Sequence, residues 1–283
     1  LSASETARLD RLILGSAASH AAQSTAGLRH ARARGYGLEV TDHRPYRAGD
    51  DPRQIDWSAE ARLRQLAVRV LEAEGQAQVH VALDTSRSMA ATMTLATKVA
   101  AAVIYIAIAR RDLAGLSLFN ETLHTHMPST RGRAHLHQAL SRLDGATAEG
   151  PTGLTAVLAE LAHRVTPPAF VVVVSDLYTP GYGLDGLDTL AANGLDPALV
   201  QIVSDEDVDP RIADGARLVD VEAVGGSVLA DVTSYQRRFA QMTTDIAAHC
   251  RAHGMPFVQL RASTSFDDML DALIRAAVIA GRR

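Results

Sequence analysis

The sequence predicts an α/β protein: a doubly wound, mostly parallel sheet flanked by helices, with an N-terminal extension and a small β-hairpin insertion. Three observations carry this. From "QVHVALD", beginning at Gln78, apolar runs of strand length alternate with segments of helical period, the order that a parallel sheet with crossover helices requires. "FVVVV", Phe170–Val174, is almost continuously β-branched, the composition of a strand covered on both faces. Apolar residues make up 47% of the 283 positions, ample for the core of one large domain.

The opening, "LSASETARLDRLILGSAASH", reads as a capped amphipathic helix and lacks the basic-then-apolar pattern of a secretion signal. A Gly- and charge-rich stretch follows, "GYGLEVTDHRPYRAGDDPRQIDW", and then a strand, "QLAVRVLEA", expected to pair beside "VHVAL". Residues 1–75 are therefore expected to form an N-terminal segment with an edge strand, packed on a core domain spanning 76–283. "VAAAVIYIAIA", Val99–Ala109, lies between Lys98 and Arg110. It is about half the ~20 residues needed to cross a bilayer, so it is read as a buried helix and no membrane span is expected.

Beyond it, "LAGLSLF" predicts a strand, "AHLHQALSRL" and "TAVLAELAHRV" helices, "LDTLAANG" a helix and "ALVQIVS" a strand. "ARLVDVEAVGGSVLADV" reads as a hairpin around Gly225–Gly226, an insertion at about 210–233. A long helix around "YQRRFAQMTTDIAAHCRAHG", the strand "PFVQLRA" and the helix "FDDMLDALIRAAVIA" complete the domain.

Twenty-eight basic and 32 acidic residues are spread along the chain, a net charge of -4. No field of one sign results, so nucleic acid is not an expected partner. The single cysteine, Cys250, excludes an intramolecular disulfide and suits a reducing, cytoplasmic setting.

Ligands of open parallel sheets bind beyond the carboxyl ends of the strands. "LDTSRSMA" leaves such an end with Asp84, Ser86 and Ser88 on alternate positions. "FVVVVSD" ends in Asp176, and "EGPTGLTAVL" offers Thr152 and Thr155 before a helix. Taken singly, each is explained as a turn, cap or strand-end residue. Taken together they are two carboxylates and several hydroxyls, the hard oxygen donors that Mg²⁺ prefers. The enzyme alternative is a Mg²⁺-dependent phosphohydrolase with Asp84 as nucleophile, but such enzymes usually carry a second acid where this chain has Ser86. Ser86 and Ser88 lack the glycine elbow of an acyl-transfer nucleophile. The pairs His124/His126 and His135/His137 lack the companions of a zinc site and are read as surface residues. "GYG" at 35–37 and 181–183 lacks a phosphate-loop lysine.

"DTSRS" resembles the D-x-S-x-S element of the metal-ion-dependent adhesion site of von Willebrand factor A domains, with "GPTGL" and "VSD" standing where that family supplies its threonine and second aspartate. The resemblance implies a von Willebrand factor A-like, Rossmann-like fold in which Asp84, Ser86, Ser88, Thr152 and Asp176 hold one Mg²⁺ or Mn²⁺. Pro151 stands where a glycine is usual and stiffens the loop, which keeps Thr155 as a second candidate. Residues 35–69, with Gly49-Asp50-Asp51, Arg53, Ile55-Asp56-Trp57 and Arg62, resemble the signature of the bacterial domain-of-unknown-function 58 (DUF58) family. That resemblance implies a non-enzymatic, metal-dependent protein–protein interaction module, an adaptor working with a MoxR-type AAA+ ATPase in complex assembly or maturation. A partner protein's acidic residue is expected to complete the metal's coordination. Within the stretch itself, Arg44, Arg47 and Arg53 among Asp42, Asp50, Asp51 and Asp56 predict an ion-pair network, with Trp57 as its apolar anchor.

Overall fold

A computed structural model describes residues 1–11, 77–210 and 232–279, and the backbone of four further strands at 39–45, 67–72, 217–219 and 227–229. The chain divides into two compact units, residues 26–76 and residues 1–25 with 77–283. In the smaller unit β1 (Glu39–Pro45) pairs antiparallel with β2 (Ala67–Glu72). The strand expected beside "VHVAL" thus pairs with β1 instead, and both neighbours of β3 (Gln78–Asp84) are other strands of the larger unit. Arg47, Gly49 to Trp57 and Arg62, with the expected ion-pair network, lie outside the described residues.

The larger unit holds a six-stranded sheet in the order β10-β7-β6-β3-β4-β5. Its members besides β3 are β4 (Leu113–Phe119), β5 (Leu123–Thr130), β6 (Phe170–Ser175), β7 (Asp196–Val203) and β10 (Phe257–Arg261). All pairings are parallel except β4 with β5. The expected doubly wound sheet is present. From β3 the chain moves outward to β4 and β5, then returns to the other side of β3 as β6. The connections therefore diverge between β3 and β6, the switch point at which such sheets open a crevice.

Side chains alternate across the strands and build two cores. On one face Val81, Leu83, Leu116, Val172, Val174 and Val200 meet α2 (Met93–Ala109), α3 (Arg133–Asp144) and α8 (Phe266–Arg275). On the other, Ala82, Phe119, Val171, Val173 and Leu199 meet α4 (Leu154–Arg164), α5 (Leu184–Ala192) and α7 (Val232–Ala252). A single helical turn, α6 (Asp205–Val208), follows β7 behind a Ser204/Asp207 capping box. The expected hairpin strands pair as β8 (Arg217–Val219) and β9 (Ser227–Leu229). Gly225 and Gly226 lie in their connection, outside the described residues.

Helix α2 is apolar almost all round, which requires cover on more than one side. Part of it comes from α1, residues 3–11. Ser2 and Glu5 form the capping box that starts α1: the Glu5 N–H donates to Ser2 Oγ at 3.2 Å and the Ser2 N–H to Glu5 Oε2 at 2.7 Å. Leu9 is fully buried in the α2 core. Lys98 of α2 donates to Glu5 at 2.8 Å and Tyr105 to Asp10 at 2.7 Å, while Arg8 pairs with Asp267 of α8 at 3.0 Å. The N-terminal helix thus groups with the sheet unit rather than with the charged segment after it. No helix among the described residues is long and apolar enough to cross a membrane.

Strand β5, "LHTHMPST", was not expected, because its only apolar side chains besides Pro128 are Leu123 and Met127, set among His, Thr and Ser without an apolar alternation. Pro128 is tolerated there because an edge strand has one unpaired side. Its His126 joins a polar inlay in the sheet: Ser117 Oγ lies 2.8 Å from His80 Nε2 and 3.0 Å from His126 Nδ1. Gly115 of β4 makes room for it, since a Cβ there would stand 2.2 Å from His80 Nδ1.

Burial lowers the His80 pKa to about 3, so the imidazole is neutral in the folded protein at every physiological pH. The unfolded chain binds that proton near the ordinary value of about 6.5. The stabilising contribution is therefore complete above about pH 6.5 and declines as pH falls toward 3, by up to about 1.4 kcal/mol per unit. His80→Gln should spare the protein about 2 kcal/mol of the stability that the wild type loses between pH 6.5 and 4.5. Urea unfolding at both pH values measures it; equal losses in the two proteins would contradict a neutral buried His80.

Candidate metal centre

Asp84 closes β3 with no solvent exposure. Its Oδ1 accepts the Ser86 N–H at 2.8 Å, a turn in which the side chain replaces a backbone acceptor. That turn leads into a 3-10 segment, Arg87–Ala91. Asp84 Oδ2 accepts two hydroxyl hydrogens, from Ser175 at 2.8 Å and from Thr152 at 3.1 Å. Three segments distant in sequence therefore converge on one carboxylate.

Each segment is held by its own backbone. The loop at 149–153 is laced to its neighbours: the Glu149 N–H reaches the Thr85 carbonyl at 2.8 Å, the Arg87 N–H the Gly150 carbonyl at 2.8 Å, and the Gly153 N–H the Asn120 carbonyl at 2.8 Å. Gly153 is required by this approach, because a Cβ would stand 2.2 Å from the Glu121 carbonyl oxygen. Thr85 donates to the Phe119 carbonyl at 2.8 Å and hydrogen-bonds His124 Nε2 at 2.9 Å. After β6, Ser175 Oγ also accepts the Leu177 N–H at 3.0 Å, and Asp176 Oδ1 accepts the Tyr178 N–H at 3.0 Å. Leu177 takes a left-handed φ of 66° while fully buried, backbone strain of the kind that collects at sites. The Asp176 carbonyl accepts from Gln201 at 3.1 Å, Gln201 Oε1 from Gln259 at 2.9 Å, and Gln259 also reaches Thr243 of α7 at 3.1 Å.

Of the five residues singled out in the sequence, Asp84, Ser86 and Thr152 are joined through Asp84. Ser88 Oγ lies 3.2 Å from Ser86 Oγ. Asp176 is buried directly after Ser175 on the adjacent strand. The alternative threonine, Thr155, is exposed on the first turn of α4, whereas Thr152 faces Asp84. Ser175 is the residue that sequence reasoning missed. Leu83 is in register with Val174, so the next residues along, Asp84 and Ser175, adjoin; only the strand pairing reveals it. The other histidines do not assemble as the pairs considered: His124 bonds Thr85, His126 bonds Ser117, and His135 donates to the Ala114 carbonyl at 2.7 Å.

Burial pushes the Asp84 carboxyl pKa up, against the opposing hydrogen bonds from Ser86, Ser175 and Thr152. These donors are all neutral, so they orient the carboxylate without balancing its charge. A divalent cation would reverse the balance and favour the ionised form. The residues fit one: a hydroxyl that donates its hydrogen to Asp84 keeps its lone pairs for a cation. The 3.2 Å Ser86–Ser88 separation is also close to the ~2.9 Å between neighbouring oxygens of an octahedral Mg²⁺ shell.

Fold and site together define a doubly wound α/β domain with carboxylates and hydroxyls gathered at its switch point. The chain belongs to the family described as Protein of unknown function DUF58, which matches residues 42–245. Uncharacterized proteins of Mycobacterium tuberculosis and Mycobacterium bovis are each 26% identical over 274 residues, covering 88% of this chain and 81% of theirs. Among solved structures, conserved hypothetical protein BatB of Bacteroides thetaiotaomicron is 15% identical with a TM-score of 0.46, covering 71% of this chain and 99% of that one. An aerotolerance-related membrane protein of Bacteroides fragilis is 16% identical with the same TM-score and coverages.

Removing one donor from a buried carboxylate typically costs about 1.5–3 kcal/mol. Ser175→Ala should lower the free energy of urea unfolding by that amount, while Thr155→Ala, at an exposed position, should stay within about 0.5 kcal/mol of wild type. A Ser175→Ala protein as stable as wild type would show that Asp84 does not depend on this bond.

Proposed function

We propose that the strand-end crevice is a metal-ion-dependent adhesion site in a von Willebrand factor A-like domain, and that the protein is a non-enzymatic protein–protein interaction module. The observation that carries this reading is the Asp84 carboxylate, fully buried yet held only by neutral N–H and O–H donors, with Ser86, Ser88, Thr152 and Asp176 around it. These residues would hold one Mg²⁺ or Mn²⁺, whose chemistry here is to accept a carboxylate oxygen from another protein. Two carboxylates roughly neutralise a divalent ion, so an acidic side chain from a partner can replace a bound water at little added charge cost.

The geometry weighs against phosphoryl transfer. A nucleophilic aspartate needs an oxygen open to substrate, whereas both oxygens of Asp84 accept hydrogen bonds and the residue has no exposed surface. Two positions on stands Ser86, not a general acid. Within this reading the partner is a MoxR-type AAA+ ATPase or one of its clients, and the role is complex assembly or maturation in the cytoplasm.

Metal that binds the native state alone adds RT ln(1 + [L]/Kd), about 1.4 kcal/mol at tenfold excess. MgCl2 or MnCl2 should accordingly raise the melting temperature by about 2–4 °C, and Asp84→Ala should remove the shift while the protein remains folded. A wild type indifferent to both ions would sink the proposal. A partner recovered from bacterial lysate should in turn be retained in Mg²⁺ and lost in EDTA or with the Asp176→Ala protein. Retention under all conditions would place recognition on another surface.

A further inference from the structure

A second cluster of side chains able to ligate a metal lies away from the strand ends, on the helices of one face. Asp188 of α5 meets His249 and His253 at the end of α7, with one ligand atom from each within 4.8 Å of the others. We propose that these three residues form a surface site for a transition-metal dication, Zn²⁺ being the natural occupant, which ties α5 to α7 independently of the strand-end crevice.

The argument begins with helix geometry. His249 and His253 are four residues apart, so their rings stand one above the other on one face of α7; the ring centroids are 4.2 Å apart. The His253 N–H still bonds the His249 carbonyl at 3.1 Å, which keeps His253 in helical register. Gly254, at φ +64°, ends the helix there: its N–H reaches Arg251 and that of Met255 reaches Cys250. This left-handed glycine cap fixes the last turn, and with it the second ring.

The hydrogen bonds then set which nitrogens can bind. His253 Nδ1 lies 2.9 Å from the His249 carbonyl; a carbonyl only accepts, so Nδ1 carries the proton and Nε2 carries the lone pair of the neutral ring. A histidine that donates one nitrogen to a backbone carbonyl and presents the other is the usual arrangement of a metal ligand. His249 Nε2 donates to Asp188 Oδ1 at 2.9 Å; a dication binding there releases that proton to solvent and takes its place between the two groups. Two imidazoles and a carboxylate suit Zn²⁺, which takes His nitrogen at about 2.0–2.1 Å and carboxylate oxygen at about 2.0–2.2 Å, and do not suit Mg²⁺. Small rotations of partly exposed side chains bring the three to those distances. Cys250 is excluded as a fourth ligand by its position, buried in the core with Met242 and Ile246. Three protein ligands leave the remaining position open to solvent.

Calorimetric titration of the untagged full chain with ZnCl2 tests this. One Zn²⁺ per chain should bind, His253→Ala and Asp188→Asn should each weaken it by about tenfold or more, and His249→Ala/His253→Ala should abolish it. Binding should persist in Asp84→Ala and in His135→Ala/His137→Ala, which separates this site from the strand-end crevice and from adventitious surface histidines. Because His253 is exposed, its loss leaves the fold intact, and far-UV circular dichroism verifies that for each variant. No Zn²⁺ uptake by the wild type, or uptake equal in wild type, His253→Ala and Asp188→Asn, would reduce the cluster to an Asp–His ion pair and overturn the proposal.

Discussion

Burying a carboxylate without a cation beside it is costly unless its oxygens are hydrogen-bonded, and the architecture around the crevice follows from meeting that requirement at Asp84. Its oxygens are satisfied by a turn it makes itself, a hydroxyl from the neighbouring strand and a hydroxyl from a loop 68 residues away. Each donor needs further support. Ser175 is fixed by the strained Leu177 turn, and Thr152 by a loop sewn to residues 85, 87 and 120. Across β6, β7 and β10 the support continues as a polar row: Ser175 is in register with Gln201, and Gln201 with Gln259. The cluster around Asp84 is thus held in place from both sides of the switch point.

The two faces of the sheet solve different problems. The face under α2 is apolar throughout, and α2 itself carries so few polar groups that α1 must seal part of its surface. The face under α4, α5 and α7 admits polar groups toward the β5 edge, where His80, Ser117 and His126 satisfy one another. A neutral buried imidazole is tolerated where an ammonium would not be. The same face, on its outer helical surface, carries the Asp188, His249 and His253 cluster.

The strand-end cluster and the helical cluster are built from different kinds of donor. Hydroxyls and carboxylates at strand ends are hard oxygen groups fixed by backbone and buried neighbours. Imidazoles on a helix face are borderline donors on partly exposed side chains that can still rotate.

Much of this was readable from residues alone. Periodicity found the parallel strands and the helices, because a strand buried on both faces and a helix buried on one leave unmistakable local patterns. The position of Asp84, Ser86, Ser88 and Asp176 just past or at strand ends, and of Thr152 just before a helix, followed from where those patterns stopped. What escaped was whatever depends on a neighbour distant in the chain. Strand β5 has no apolar signature, because its place is set by the edge it pairs with. The pairing of β2 with β1, the cover of α2 by α1 and the bond from Ser175 to Asp84 are likewise choices of partner. The spacing of His249 and His253 was visible in "HCRAH", but Asp188 lies 61 residues before the first of them. Local sequence determined which segments became strands and helices and which residues stood at their ends. Only the tertiary structure decided which of those ends met, because burial energy depends on the whole packed arrangement and not on any one segment.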